Sequence, residues 1–130
     1  MKKQIIIFTM LFALNFLHAQ GKANTIIGKW MATENGQTAG IEFLKNGKAK
    51  LLTSGKETQT CDYTADYKKA PIPVSLIIER KDGKKMTIYG LIKFITPNSI
   101  KWEIFPMAET QPKAFSEGAT GKSVVLKRVK

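Results

Sequence analysis

Residues 26–33 read Ile-Ile-Gly-Lys-Trp-Met-Ala-Thr, and the rest of the chain is a meander that must return to pair with them. A glycine inside a strand-like run permits close approach of a neighbouring backbone, which Gly28 provides. Two residues on, Trp30 offers a large apolar group suited to plugging the floor of a small barrel. The stretch therefore reads as the first strand of a closed sheet.

Downstream, Glu34, Asn35, Gly36, Gln37 and Thr38 form a short polar turn. Residues 41–45 and 49–53 flank Asn46 and Gly47, and Asn-Gly between apolar runs predicts a tight hairpin because both positions tolerate positive φ. Residues 54–58 read as a loop. Cys61, Tyr63, Ala65 and Tyr67 then alternate with Thr60, Asp62, Thr64 and Asp66, a period of two that predicts a strand with one wet face. Pro71 and Pro73 break it, after which Val74, Leu76 and Ile78 share a face of the next strand. Asp82 and Gly83 turn the chain into a long strand over residues 85–96, apolar on both faces, with Gly90 in its middle as the expected site of a bulge or bend. Ile100, Trp102 and Ile104 alternate with Lys101 and Glu103, and residues 124–129 close the chain as a last strand. Short strands joined mostly by tight turns predict an all-β fold, a small antiparallel up-and-down β-barrel of about eight strands.

One connection stands apart. Residues 106–123 lack strand periodicity and carry Met107 and Phe115 as isolated apolar groups. A connection of this length reads either as a lid or partner surface or as a packed Ω-like excursion.

The N-terminus sets the expected destination. Lys2 and Lys3 precede an apolar run over residues 5–17 and then His18, Ala19 and Gln20, the layout of a cleaved secretory signal with a small residue before the cut. The expected organisation is a signal peptide over residues 1–19 and one barrel domain over residues 20–130, exported to the periplasm or the extracellular space. The run is short for a bilayer span and no cysteine follows it, so no transmembrane or lipid anchor is expected after cleavage. The signal would carry off Lys2, Lys3 and the only histidine, lowering the formal charge from +11 to +9.

A mature chain without histidine and with one cysteine, Cys61, cannot assemble a Ser/His or Cys/His relay or an ordinary zinc site. No metal and no cofactor are implied. Asp62 and Asp66 share a strand face and are the nearest thing to a carboxylate pair, though they read as solvated groups beside lysines. The expectation is a non-enzymatic protein. Cys61 reads either as a redox-active or intermolecular thiol or as a small buried apolar residue.

An exported meander that opens with Gly28, Lys29 and Trp30 as a GxW motif and ends in the run Val124, Val125, Leu126, Lys127, Arg128 resembles the lipocalins, and in particular short bacterial lipocalin-like domains. Tyr63, Asp66, Gly90 and Phe115 add to the likeness, which spans nearly all of the chain after the signal. The resemblance implies that Trp30 plugs the closed end of the barrel and that Arg128 packs over it, with Gly28 part of that closure. Antiparallel pairing of the first strand with the last makes the same two residues neighbours without appeal to the family. The chain is short for a lipocalin and its first loop is small, so a filled barrel stands beside a hollow one as an expectation.

Two functional readings follow. In the first, the barrel holds a small apolar or amphipathic ligand, lined by Phe43, Leu51, Leu76 and Trp102 with the hydroxyls of Tyr63 and Tyr67 as polar handles. In the alternative, the core is filled and the protein meets a protein or an anionic envelope surface through its scattered lysines. Nucleic acid is not expected as a partner, since no basic platform with interleaved aromatics is legible and export separates the protein from it.

Overall fold

Eight strands follow one another without a crossover: β1 (Gly28–Glu34), β2 (Gln37–Phe43), β3 (Lys48–Thr53), β4 (Lys56–Ala65), β5 (Ile72–Glu79), β6 (Lys85–Thr96), β7 (Ser99–Phe105) and β8 (Val124–Val129). Every sequential pair is antiparallel, and β8 returns to pair with β1, so the sheet closes as an up-and-down β-barrel with no free edge. The computed structural model describes residues 25–34, 36–54, 56–116 and 121–130. The expected signal, residues 1–19, lies outside the described residues. Among the described residues no helix is long and apolar enough to cross a membrane.

Closure sets Trp30 opposite Arg128 and Lys29 opposite Val129. The Asn46-Gly47 hairpin joins β2 to β3, with Gly47 at φ 79°, and the Asp82-Gly83 hairpin joins β5 to β6, with Gly83 at φ 83°. Both turns need the left-handed backbone that glycine adopts without strain. Some limits differ from the sequence expectation. The turn after β1 is tighter than residues 34–38, because β2 already begins at Gln37, and residues 56–58 belong to β4 rather than to a loop. Polar side chains there face water, so the ladder extends without an alternation signal to mark it.

Gly90 is not a bulge. The sheet's register shifts fall instead between Leu51 and Leu52 and between Phe94 and Thr96. A Cβ at Gly90 would come within 2.7 Å of Cη2 of Trp102, so the glycine is the seat of the Trp102 indole. Close backbone approach occurs at Gly40, where an added Cβ would meet the Trp30 carbonyl oxygen at 1.9 Å. What lies against Gly28 is a side chain, the Arg128 guanidinium, at 2.7 Å from the position of a Cβ.

A meander of eight strands has two distinct ends. The β2–β3, β4–β5 and β6–β7 turns, the start of β1 and the end of β8 lie at one; the other four connections lie at the opposite one. Large inward side chains crowd the first end: Ile26, Trp30 and Phe43 are fully buried, with Phe94 edge-on to Trp30 at 6.1 Å and Tyr63 edge-on to Phe43 at 4.9 Å. At the other end the inward positions hold smaller groups, including Ala32, Ala39 and Ile88.

Candidate functional site

The closed end is built around Trp30. Its indole N–H donates to the Ile26 carbonyl at 2.8 Å, and the Arg128 guanidinium stacks over its ring at 4.2 Å. Arg128 also donates to the carbonyls of Ile27, Thr25 and Pro97 at 2.7, 3.0 and 3.2 Å, tying the segment before β1 and the β6–β7 turn to the last strand. Gly28, at φ 136°, leaves the room that the guanidinium fills. This end is a satisfied polar cap on an apolar plug.

The opposite half of the barrel is hollow. A cavity of about 530 Å³ opens at the end that carries the β1–β2, β3–β4 and β5–β6 turns. That volume lies within the roughly 300–1,000 Å³ usual for small-molecule sites. Its walls are mainly aliphatic, from Ile41, Leu51, Leu76, Ile78, Ile88 and Leu126, and Trp102 forms part of its floor while touching Phe43 edge-on at 6.2 Å. Ala39 is exposed although its strand position faces inward, because the space in front of it is open. Gln37 and Lys122 bring polar groups to the mouth.

No protein-family model, curated protein or solved structure matches the chain.

The ligand set expected from the sequence divides between the two halves. Leu51, Leu76 and Trp102 line the cavity; Phe43, Tyr63 and Tyr67 do not. Phe43 is buried in the plug, and the Tyr63 hydroxyl donates to the Leu44 carbonyl at 2.9 Å, within the β2–β3 turn of the closed end. Tyr67 lies beyond the end of β4 and is 50% exposed. Burial pushes both phenol groups above their ordinary titration range; for Tyr63 the neighbouring Tyr67 adds to the effect, and for Tyr67 hydrogen bonds from Ile26 and Thr25 oppose it. The tyrosines are therefore handles of the plug, not of the cavity. Alternation assigned Phe43 and Tyr63 to the inner face correctly but carried no information about depth along the barrel, and it ran past the end of β4 at Ala65 to include Tyr67.

The long connection takes the packed form and not the lid form over its described part. Glu103 on β7 is 3% exposed, and its carboxylate accepts from the backbone N–H of Ser116 at 3.1 Å and from the Ser116 hydroxyl. The Gln111 amide donates to the Gly90 carbonyl at 3.1 Å, and the Lys101 ammonium sits 4.5 Å over the Phe115 ring. Residues 106–116 thus lie against the outer wall of β6 and β7, which explains why Leu91, outward-facing beside Glu103 in the ladder, is buried. Neither Met107, 93% exposed, nor Phe115 lines the cavity.

Cys61 is buried on β4 opposite Ala49, and desolvation pushes its thiol above the ordinary range, so it packs as a small apolar group. Asp62 and Asp66 do not form a pair: Asp62 is ion-paired with Lys48 across the outer face, and Asp66 sits past the end of β4, accepting from the Lys68 N–H. Among the described residues no three histidine, cysteine or carboxylate side chains converge as a metal-binding group.

Proposed function

We infer that this is an exported, lipocalin-like binding protein that takes a small apolar or amphipathic molecule into the open half of its barrel and performs no chemistry on it. The cavity of about 530 Å³ between an intact plug and an open mouth carries this reading. A barrel serving only as a scaffold for surface contacts has no need of unfilled apolar volume, which forfeits dispersion contacts on every wall that faces it. Export rests on the Lys2-Lys3, apolar-run and Ala19 pattern, and the lipocalin likeness on the GxW motif and the Trp30–Arg128 stack.

Apolar burial contributes about 25 cal/mol per Å² before the costs of association, so a pocket of this size fits affinities on the order of micromolar. Titration of an environment-sensitive apolar dye is the test. Saturable binding to one site, weakened by Ile88→Trp at the mouth with the melting temperature preserved, is the expected result. Dye that does not saturate, or is indifferent to Ile88→Trp, overturns the reading and leaves the basic exterior as the better functional surface.

A further inference from the structure

The two indole N–H groups are placed differently. That of Trp30 donates to the Ile26 carbonyl at 2.8 Å inside the plug. Trp102 faces inward from β7 and is 9% exposed, yet its N–H has no acceptor among the described residues. No buried side-chain nitrogen or oxygen among the described residues lacks a hydrogen bond, so an unpartnered N–H must border open space. The open space on the inner face of Trp102 is the cavity. The ring itself is held in place. Its six-membered edge, Cη2 and Cζ3, rests on Gly90, where a Cβ would come within 2.7 and 2.9 Å, and Phe43 meets the indole edge-on at 6.2 Å. The five-membered ring carries the N–H, so packing sets the direction of the donor without occupying it.

The other polar side chains of the lining lie elsewhere: Gln37 and Lys122 stand at the mouth, and Glu103 turns outward to Ser116. Among the described residues the floor therefore offers a ligand one side-chain donor and no side-chain acceptor. A wholly hydrocarbon ligand that fills the cavity strips water from the indole N–H and leaves it unpaired, which is costly in a site of low polarity. A hydroxyl or amide brought to the floor adds a donor of its own with no side chain to accept it. A carboxylate or phosphate there needs more than one neutral donor to offset its desolvation. An acceptor that carries neither a donor nor a charge, such as a ketone, ester or ether oxygen, satisfies the site.

We propose that the ligand is a neutral compound with an apolar body and a carbonyl or ether oxygen at the end that enters first, and that this oxygen accepts from the Trp102 indole N–H at the cavity floor. The assignment rests on the binding reading above, and its failure is separable from the failure of that reading. Two probes isolate the hydrogen bond: methyl octyl ketone, and the alkene of the same shape in which a methylene group replaces the carbonyl oxygen. Each is set to displace the bound dye from the wild type and from Trp102→Phe. Each wild-type complex is also followed through the Trp102 indole N–H in a nitrogen-15 correlation spectrum.

The ratio of ketone to alkene affinity is expected to fall about tenfold from wild type to Trp102→Phe, the worth of one hydrogen bond in an apolar site. Comparing ratios removes the greater hydrophobicity of the alkene, which acts alike on both proteins. In the wild type the Trp102 N–H proton should resonate further downfield in the ketone complex than in the alkene complex, with the Trp30 signal the same in both. That comparison needs no variant, so it decides the matter if Trp102→Phe does not fold. Coincident Trp102 signals in the two complexes, or a ratio unchanged by Trp102→Phe, overturn the acceptor assignment and leave the cavity reading standing. Failure of both probes to displace the dye overturns the assignment too, and dye that itself fails to bind removes the cavity reading beneath it.

Discussion

The two ends of the barrel use the same inward alternation for opposite purposes. At the closed end Trp30, Phe43, Phe94 and Tyr63 fill the section and Arg128 seals it through three backbone carbonyls. At the open end the corresponding positions are Ala32, Ala39, Leu51, Ile78 and Ile88, and the section stays hollow. A small eight-stranded barrel can therefore be both rigid and receptive, because stability and ligand space are assigned to different halves of one core. Unfilled volume that would be costly in the plug is, in the other half, the proposed binding site.

Substitutions that shrink or enlarge side chains should behave oppositely at the two ends. Trp30→Ala removes a fully buried indole from the plug and should cost about 3 to 5 kcal/mol in chemical denaturation. Arg128→Ala, which strips the cap from the same ring and leaves three carbonyls without their donor, should cost about 2 kcal/mol. If either were neutral, the closed end would not be the stabilising half.

A smaller effect sharpens the contrast. Ala39→Leu adds volume where the barrel is hollow, so its effect on stability should stay within about 1 kcal/mol, unlike the overpacking penalty expected in a filled core. The same change should lower dye affinity. A large destabilisation with no effect on binding would mean that Ala39 does not face usable space.

The smallest effect belongs to the outer face. Asp62 is held below the ordinary carboxylate range, chiefly by the hydrogen bond from Lys48 and next by that lysine's charge, and both side chains are about half exposed to water. A depressed folded-state value means that any stabilisation is present above the ordinary range and is lost as pH falls through the depressed one. Asp62→Asn should therefore produce only a slight decrease in melting temperature at neutral pH, and the difference from wild type should close in acid. A difference that grew in acid would show that the pair is not its source.

Much of this organisation was legible before the structure. The hairpins at Asn46-Gly47 and Asp82-Gly83, the long strand over residues 85–96 and the proximity of Trp30 to Arg128 follow from turn chemistry, period-two alternation and antiparallel closure. Depth along the barrel was not read, which misplaced Phe43 and Tyr63, while Tyr67 was misplaced because β4 ends at Ala65. A signal for it existed: in a meander, alternate turns lie at alternate ends, so a residue's distance from its turn gives its level relative to Trp30. Ala32 and Ala39, small groups facing each other across β1 and β2 near their shared turn, mark the hollow level. The seating of the long connection had a weaker signal, the apolar outer face of residue 91 beside Glu103. That a glutamate at an outward position is buried depends on Ser116, thirteen residues on, and no local pattern encodes that pairing.

The chain's two tryptophans stand one in each half, and they offer the most direct measurement. In a nitrogen-15 correlation spectrum each indole N–H gives a separate signal, Trp30 locked to the Ile26 carbonyl in the plug and Trp102 at the cavity floor. Titration with methyl octyl ketone should move the Trp102 signal saturably and leave that of Trp30 in place. Equal movement of both, or movement of Trp30 alone, would contradict the division of the barrel into a sealed half and a receptive one.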